Sequence, residues 1–203
     1  MPTVSQKAID LIAFYEVNDE PTYTRRYTAP TWPGGASGVT IGIGYDIGYV
    51  TKAAFAADWA ARIPAAMFAL FAHAVGVSGP ATHALAGEMR ASVAIDWPTA
   101  NAVFAERTLP ACAADTARAL SNCDALSGDS FGALVSLVYN RGAGFTKIGD
   151  RYTEMRAIKS HMAAKAFTAV PGDIVAMQRL WPAVPGLQKR RRDEAALFRS
   201  GLD

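Results

Sequence analysis

Val39-Thr40-Ile41-Gly42-Ile43-Gly44-Tyr45-Asp46-Ile47-Gly48-Tyr49 is the only strong strand signal in the 203-residue sequence, alternating large apolar residues with small or polar ones. Val39, Ile41, Ile43, Tyr45 and Ile47 fall on one face, and Thr40, Gly42, Gly44, Asp46 and Gly48 on the other. One straight strand would hold Thr40 and Asp46 about 20 Å apart. Gly42 and Gly44 tolerate the positive φ of a tight turn, so the chain is expected to fold back between them. Thr40 and Asp46 then face each other across a hairpin.

Around this stretch the pattern is helical. Alanine makes up about a fifth of the chain, far above ordinary usage, and it is the best helix former. Residues 5–16 place Ile9, Ile12, Ala13 and Glu16 on one helical face. Residues 17–38 carry Pro21, Pro30, Pro33 and Gly34-Gly35 and read as a long loop or an irregular hairpin. After Thr51, which suits an N-cap, helices are predicted over 52–62, 65–75, 81–94, 99–119, 130–140, 151–167, 173–181 and 187–200. The breaks between them fall at Gly and Pro. The expected fold class is α+β and mostly α, in a single domain. A small β-containing lobe covers about 15–52, and a larger helical lobe takes 53–203 with the N-terminal helix. The cleft between lobes is the expected binding site.

Composition excludes several classes. A chain this long buries roughly 70% of its unfolded surface, so a core needs no disulfide staples. The hydrophobic fraction of 51% excludes disorder. No stretch reaches the roughly 18 apolar residues of a membrane span; the nearest, 63–77, is short and carries Pro64 and His73. Met1 to Lys7 has no basic segment leading into an apolar one, so the protein is expected to be made in the cytoplasm without a signal peptide. Residues 1–100 hold 6 Lys/Arg against 8 Asp/Glu, a balance of −2. The remainder carries 14 against 10, or +4, which argues only weakly for a polyanion and against nucleic acid. His73, His83 and His161 lack metal-ligand spacing, so no metal or cofactor is expected. Cys112 and Cys123, on one continuous helix, would sit roughly 16 Å apart, too far for a disulfide, and read as reduced and buried.

Glu16 lies on an apolar face at a helix C-terminus, where burial and the helix dipole both disfavour a negative charge. Thr40 and Asp46 share a glycine-lined face that leaves room for a sugar. Glycosidic bond hydrolysis needs such a set: one acid kept protonated for the leaving oxygen, and a second ionised group that activates or orients water. The plain alternative is a helix-end salt bridge, a strand threonine and a turn aspartate.

The segment Ala8-Ile9-Asp10-Leu11-Ile12-Ala13-Phe14-Tyr15-Glu16, followed by Gly38-Val39-Thr40-Ile41-Gly42-Ile43-Gly44, resembles the phage-type lysozymes, glycoside hydrolase family 24. There a helix ending in the catalytic Glu leads to a Thr-Ile-Gly-x-Gly hairpin. Phe131 to Asn140 is similar to the family's helix ending in Phe-Asn, and Gly186 to Phe198 resembles its C-terminal arginine-rich helix. Common phage enzymes place their Asp between the Glu and the Thr, where this chain offers only Asp19 and Glu20, close behind Glu16. Gly34 to Gly48 instead looks like the pesticin-like muramidase branch, whose Asp follows the Thr on the hairpin.

The resemblance implies a lysozyme-like fold and a muramidase that cleaves the β-1,4 bond between N-acetylmuramic acid and N-acetylglucosamine of bacterial peptidoglycan. Glu16 would be the general acid, Asp46 the carboxylate that activates water, and Thr40 the hydroxyl that positions it. It also implies inversion, with the two carboxyl groups roughly 6.5–9.5 Å apart. Arg190 best matches the family's arginine that hydrogen-bonds the catalytic Glu; the plain reading of residues 189–192 is a solvated helix face near Glu194. Tyr45 and Asn140 are candidates to line the sugar cleft, although Tyr45 also suits the core and Asn140 a helix C-cap before Gly142. The alternatives are a lytic transglycosylase and a silent cell-wall-binding or phage structural module. As an endolysin or antibacterial toxin, the protein would work as a monomer in the periplasm or on the cell wall. A holin, a secretion system or a cognate immunity protein would be its partner.

Overall fold

The computed structural model describes residues 1–202. In chain order the helices are α1 (Gln6–Val17), α2 (Glu20–Arg26), α3 (Lys52–Trp59), α4 (Ala65–Ala72), α5 (Thr82–Arg90), α6 (Trp97–Val103), α7 (Leu109–Ala119), α8 (Gly128–Arg141), α9 (Thr153–Ala163), α10 (Val170–Ala176) and α11 (Pro185–Ser200). Two short strands, β1 (Thr40–Ile41) and β2 (Tyr45–Asp46), fall between α2 and α3. Helix accounts for 65% of the structure, and with the small antiparallel sheet this gives an α+β, mostly α architecture. Among the described residues, no helix is long and apolar enough to cross a membrane.

The chain forms two compact units: Glu16–Thr108, and Met1–Tyr15 with 109–202. The β-containing unit is therefore larger than the expected 15–52, because α3 to α6 belong with the hairpin. Its hairpin has the expected register, Thr40 opposite Asp46 and Ile41 opposite Tyr45. Gly42 (φ 56°) and Gly44 (φ 68°) provide the turn. All five residues of the apolar face, Val39 to Ile47, are buried, as are Phe55, Trp59 and Phe71.

Residues 17–38 are not wholly loop, since α2 occupies seven of them. The side chain of Asp19 accepts a hydrogen bond from the Thr22 N–H, Pro21 stands in the first turn, and Arg25 and Arg26 close the last. These are the residues that start and end helices, and the prolines around them hide the signal. The predicted helix 99–119 is interrupted by a π turn over Phe104–Thr108. Pro110 has no N–H to give the carbonyl of Glu106, and the wider turn just before it absorbs the mismatch.

In the other unit the central element is α8, in which every residue from Ser130 to Val138 is buried. It packs against α7 and α11. Gly132 makes a close crossing with α1 possible: a Cβ there would stand 2.2 Å from the Cβ of Ala8. On α11, the buried Glu194 accepts hydrogen bonds from Arg190 Nε (3.1 Å), Arg191 Nη2 (2.9 Å) and Ser136 Oγ (2.7 Å). Such a network stands only because the opposing charges are desolvated together. Both cysteines are thiols: Cys123 is buried, which pushes its thiol up to about 11, and Cys112 is half-buried. They do not share a helix, because α7 ends at Ala119 and Cys123 opens a separate turn.

Replacing Gly132 by Ala overpacks this crossing. The expected loss is about 1–3 kcal/mol, or roughly 2–12 °C in Tm for a chain of this size, read by thermal denaturation.

Candidate active site

The last turn of α1 carries Glu16, half-buried, and ends where Asn18 turns into the left-handed region (φ 69°). Asparagine takes this conformation more readily than most residues, so the helix stops cleanly behind Glu16. Asp19 then caps α2, and the hydrogen bond from Thr22 holds its carboxyl below the usual carboxylate range. Its role in the structure is the helix cap.

Glu16 opens on a cavity of about 350 Å³ whose walls include Tyr27, Thr31, Thr40, Gly42 and Gly44. Thr40 is held by two backbone hydrogen bonds with Thr31: its N–H donates to the Thr31 carbonyl (2.8 Å), and its carbonyl accepts from the Thr31 N–H (3.0 Å). Its side-chain Oγ1 is buried and has no protein partner. Buried hydroxyls in native proteins are usually satisfied, so an orphan in the wall of a cavity is where a bound water or ligand group would be held. The turn glycines bring the cavity up to bare backbone.

Asp46 faces Thr40 across the hairpin but does not line this cavity. Its carboxylate accepts from the Gly38 N–H (3.1 and 3.0 Å to the two oxygens) and from the Gly48 N–H (2.9 Å). A Cβ on Gly38 would meet Asp46 Oδ1 at 2.4 Å, so glycine is needed there for the close approach. Asp-x-Gly is a familiar turn arrangement, in which the side chain bonds the backbone two residues on.

Tyr45 is not among the residues that line this cavity. Its ring packs edge-on against Trp59 (5.5 Å between centroids, 82°), and its hydroxyl donates to Asp58 Oδ2 (2.8 Å). Burial, then the Asp58 carboxylate, raises its phenol. It sits on the apolar face of the hairpin, where period two puts it.

Asn140 and Arg190 belong to the other unit. Asn140 is exposed in the last turn of α8, and its Oδ1 accepts from Arg191 Nη2 (3.2 Å). Arg190 is buried, with its guanidinium over the Tyr15 ring at 5.3 Å. Arg191 is buried too, and burial lowers its guanidinium to about 10. Only Lys189 and Arg192 of the run face solvent, so residues 189–192 are not the solvated face their charge suggests.

Tyr27 and Thr31 have no mark in the sequence as site residues. Thr31 pairs with Thr40 through the backbone alone, which side-chain patterns do not reveal. Among the described residues, no three His, Cys, Asp or Glu side chains gather so as to hold a metal ion. No protein-family model matches the chain, and no curated protein does.

Two substitutions separate architecture from chemistry. Thr40→Val removes the unpartnered hydroxyl at constant volume and is expected to leave Tm unchanged or raise it, by about 1 kcal/mol of stability. Asp46→Asn sets an amide N–H₂ against backbone N–H groups and is expected to cost about 1–3 kcal/mol, seen as a lower midpoint in denaturant unfolding.

Proposed function

We propose that the protein is a peptidoglycan hydrolase of the muramidase type, with a lysozyme-like fold. The observation that carries this reading is the pairing of Glu16 with the orphan Thr40 hydroxyl on one glycine-lined cavity. In this reading Glu16 donates a proton to the glycosidic oxygen as the bond to the muramic acid anomeric carbon breaks. A water held by Thr40 Oγ1 attacks that carbon from the opposite face, and its proton passes to Asp46. The backbone bonds to Asp46 would fix its orientation while leaving lone pairs on the carboxylate for such a water. Attack from the far side inverts the anomeric centre, so the first-formed product is the α anomer, observable by proton NMR before mutarotation. The order of the sequence signals supports the same reading: a helix ending in Glu16, then the Thr40–Asp46 hairpin.

One observation favours a second reading. Asp46 does not line the cavity, and both its oxygens are bonded to backbone. A lytic transglycosylase needs one acid and no water-activating carboxylate; it closes the muramic acid 6-hydroxyl onto the anomeric carbon and leaves an anhydro product.

Glu16→Gln is expected to keep the fold, with Tm close to that of the parent, and to lower the rate of peptidoglycan cleavage by about 10²–10⁴-fold. Release of reducing ends from purified sacculi measures it. Full activity in that folded variant removes Glu16 as the acid. Mass spectrometry of the parent's digest then separates the two reactions, a reducing muramic acid marking hydrolysis and an anhydro-muramic acid the transglycosylase.

A further inference from the structure

A second cavity, of about 280 Å³, adjoins the first, and Thr31 lines both. Its other walls include Trp32 and three residues of α5: His83, Gly87 and Arg90. The Trp32 indole is fixed in place, because its Nε1 donates to the Ser37 carbonyl (3.0 Å) and its ring lies 5.3 Å from that of His83 at a tilt of 54°. Arg90 is exposed and enters no ion pair among the described residues. Gly87 stands inside a helix, where glycine is a weak choice. Packing does not require it, since a Cβ there would meet nothing within 4 Å. Its effect is to leave the wall of the cavity open beside the arginine.

These features share one chemistry. A fixed indole offers a flat apolar face to a sugar ring or an aliphatic stem. An unpaired guanidinium offers a planar fork that matches a carboxylate. The bare helix backbone at Gly87 lets a ligand come close to both.

We propose that this cavity is a subsite for a carboxylate-bearing unit of the glycan, with the acid group on Arg90 and the apolar face of the unit on Trp32. The proposal rests on the muramidase reading. It adds that the strand continues past Thr31, so that the unit next to the one cleaved is recognised by its charge. In peptidoglycan that charge comes from the peptide stem or, where the stem has been removed, from the lactyl group of muramic acid.

Isothermal titration calorimetry with three fragments tests it: N-acetylglucosaminyl-N-acetylmuramic acid carrying a tetrapeptide, the same disaccharide without peptide, and neutral chitobiose. None contains the scissile bond. The parent is expected to bind the acidic fragments more tightly than chitobiose, and the tighter of the two identifies the source of the carboxylate. Arg90→Gln is expected to weaken the acidic fragments by about tenfold, the effect of losing one charge-assisted bond, and to leave chitobiose unchanged. Gly87→Leu keeps the arginine and fills the cavity; it is expected to weaken all three without lowering Tm. Unchanged affinities in Arg90→Gln, or failure of the parent to bind any fragment, overturn the subsite. Cleavage of sacculi by the same preparations is read separately. A parent that cleaves while Arg90→Gln binds normally loses the subsite and keeps the hydrolase; one that binds but does not cleave keeps the subsite and loses the hydrolase.

Discussion

The Asp46 carboxylate ties the backbone N–H of Gly38 to that of Gly48, closing a loop of chain around the hairpin turn. The strands it joins are only two residues each, too short for ladder bonds alone to hold. Further backbone contacts depend on the same closure: Thr31 pairs with Thr40 on one side, Gly38 bridges to Ser78, and the Gly76 N–H donates to the Ile47 carbonyl. With the hairpin closed, the apolar face of β1 and β2 is pressed into the core, and Thr40, Gly42 and Gly44 of the other face are left along the cavity. The geometry around Thr40 thus follows from one side chain bonded to backbone on both sides of the turn.

Much of this was legible in the sequence because it rests on local rules. Period two gave the two faces of the hairpin, the paired glycines gave its turn, and the register of Thr40 against Asp46 follows from both. What escaped notice was set by neighbours. Helix α2 is hidden among prolines, although Asp19 and Pro21 form a recognisable start. The extent of the β-containing unit depends on how α3 to α6 pack, which side-chain periodicity does not encode. Tyr45 alternates with the apolar residues and is buried with them, the core position that period two offers it. Residues 189–192 mislead. A run of four cations reads as solvated surface, yet Arg190 and Arg191 turn inward, because Glu194 one turn on and Ser136 on α8 offer them partners.

Both units bury polar atoms that have no hydrogen-bond partner. Around Glu194, one carboxylate oxygen collects bonds from Arg190, Arg191 and Ser136 and ties α11 to α8, while Glu194 Oε2 and Arg191 Nε and Nη1 are buried without a partner. At Thr40 a hydroxyl is left without a protein partner in the wall of a cavity. The first arrangement is a structural joint. The second sets a hydroxyl at the cavity wall where a bound polar group would pair with it.

The division of the chain also bears on how it is made. Residues Glu16–Thr108 are consecutive, so everything that shapes the two cavities leaves the ribosome as one uninterrupted stretch. The other unit joins the first fifteen residues to the segment from Leu109 onward, and its central helix packs against α11, the last helix of the structure. During synthesis the opening turns of α1 must therefore wait for most of the chain, while the hairpin and its helices can close first. Domains generally fold as units while the chain is being made. The segment holding the proposed acid and its hydroxyl would take shape early, and the other unit could close only after α11 has been translated.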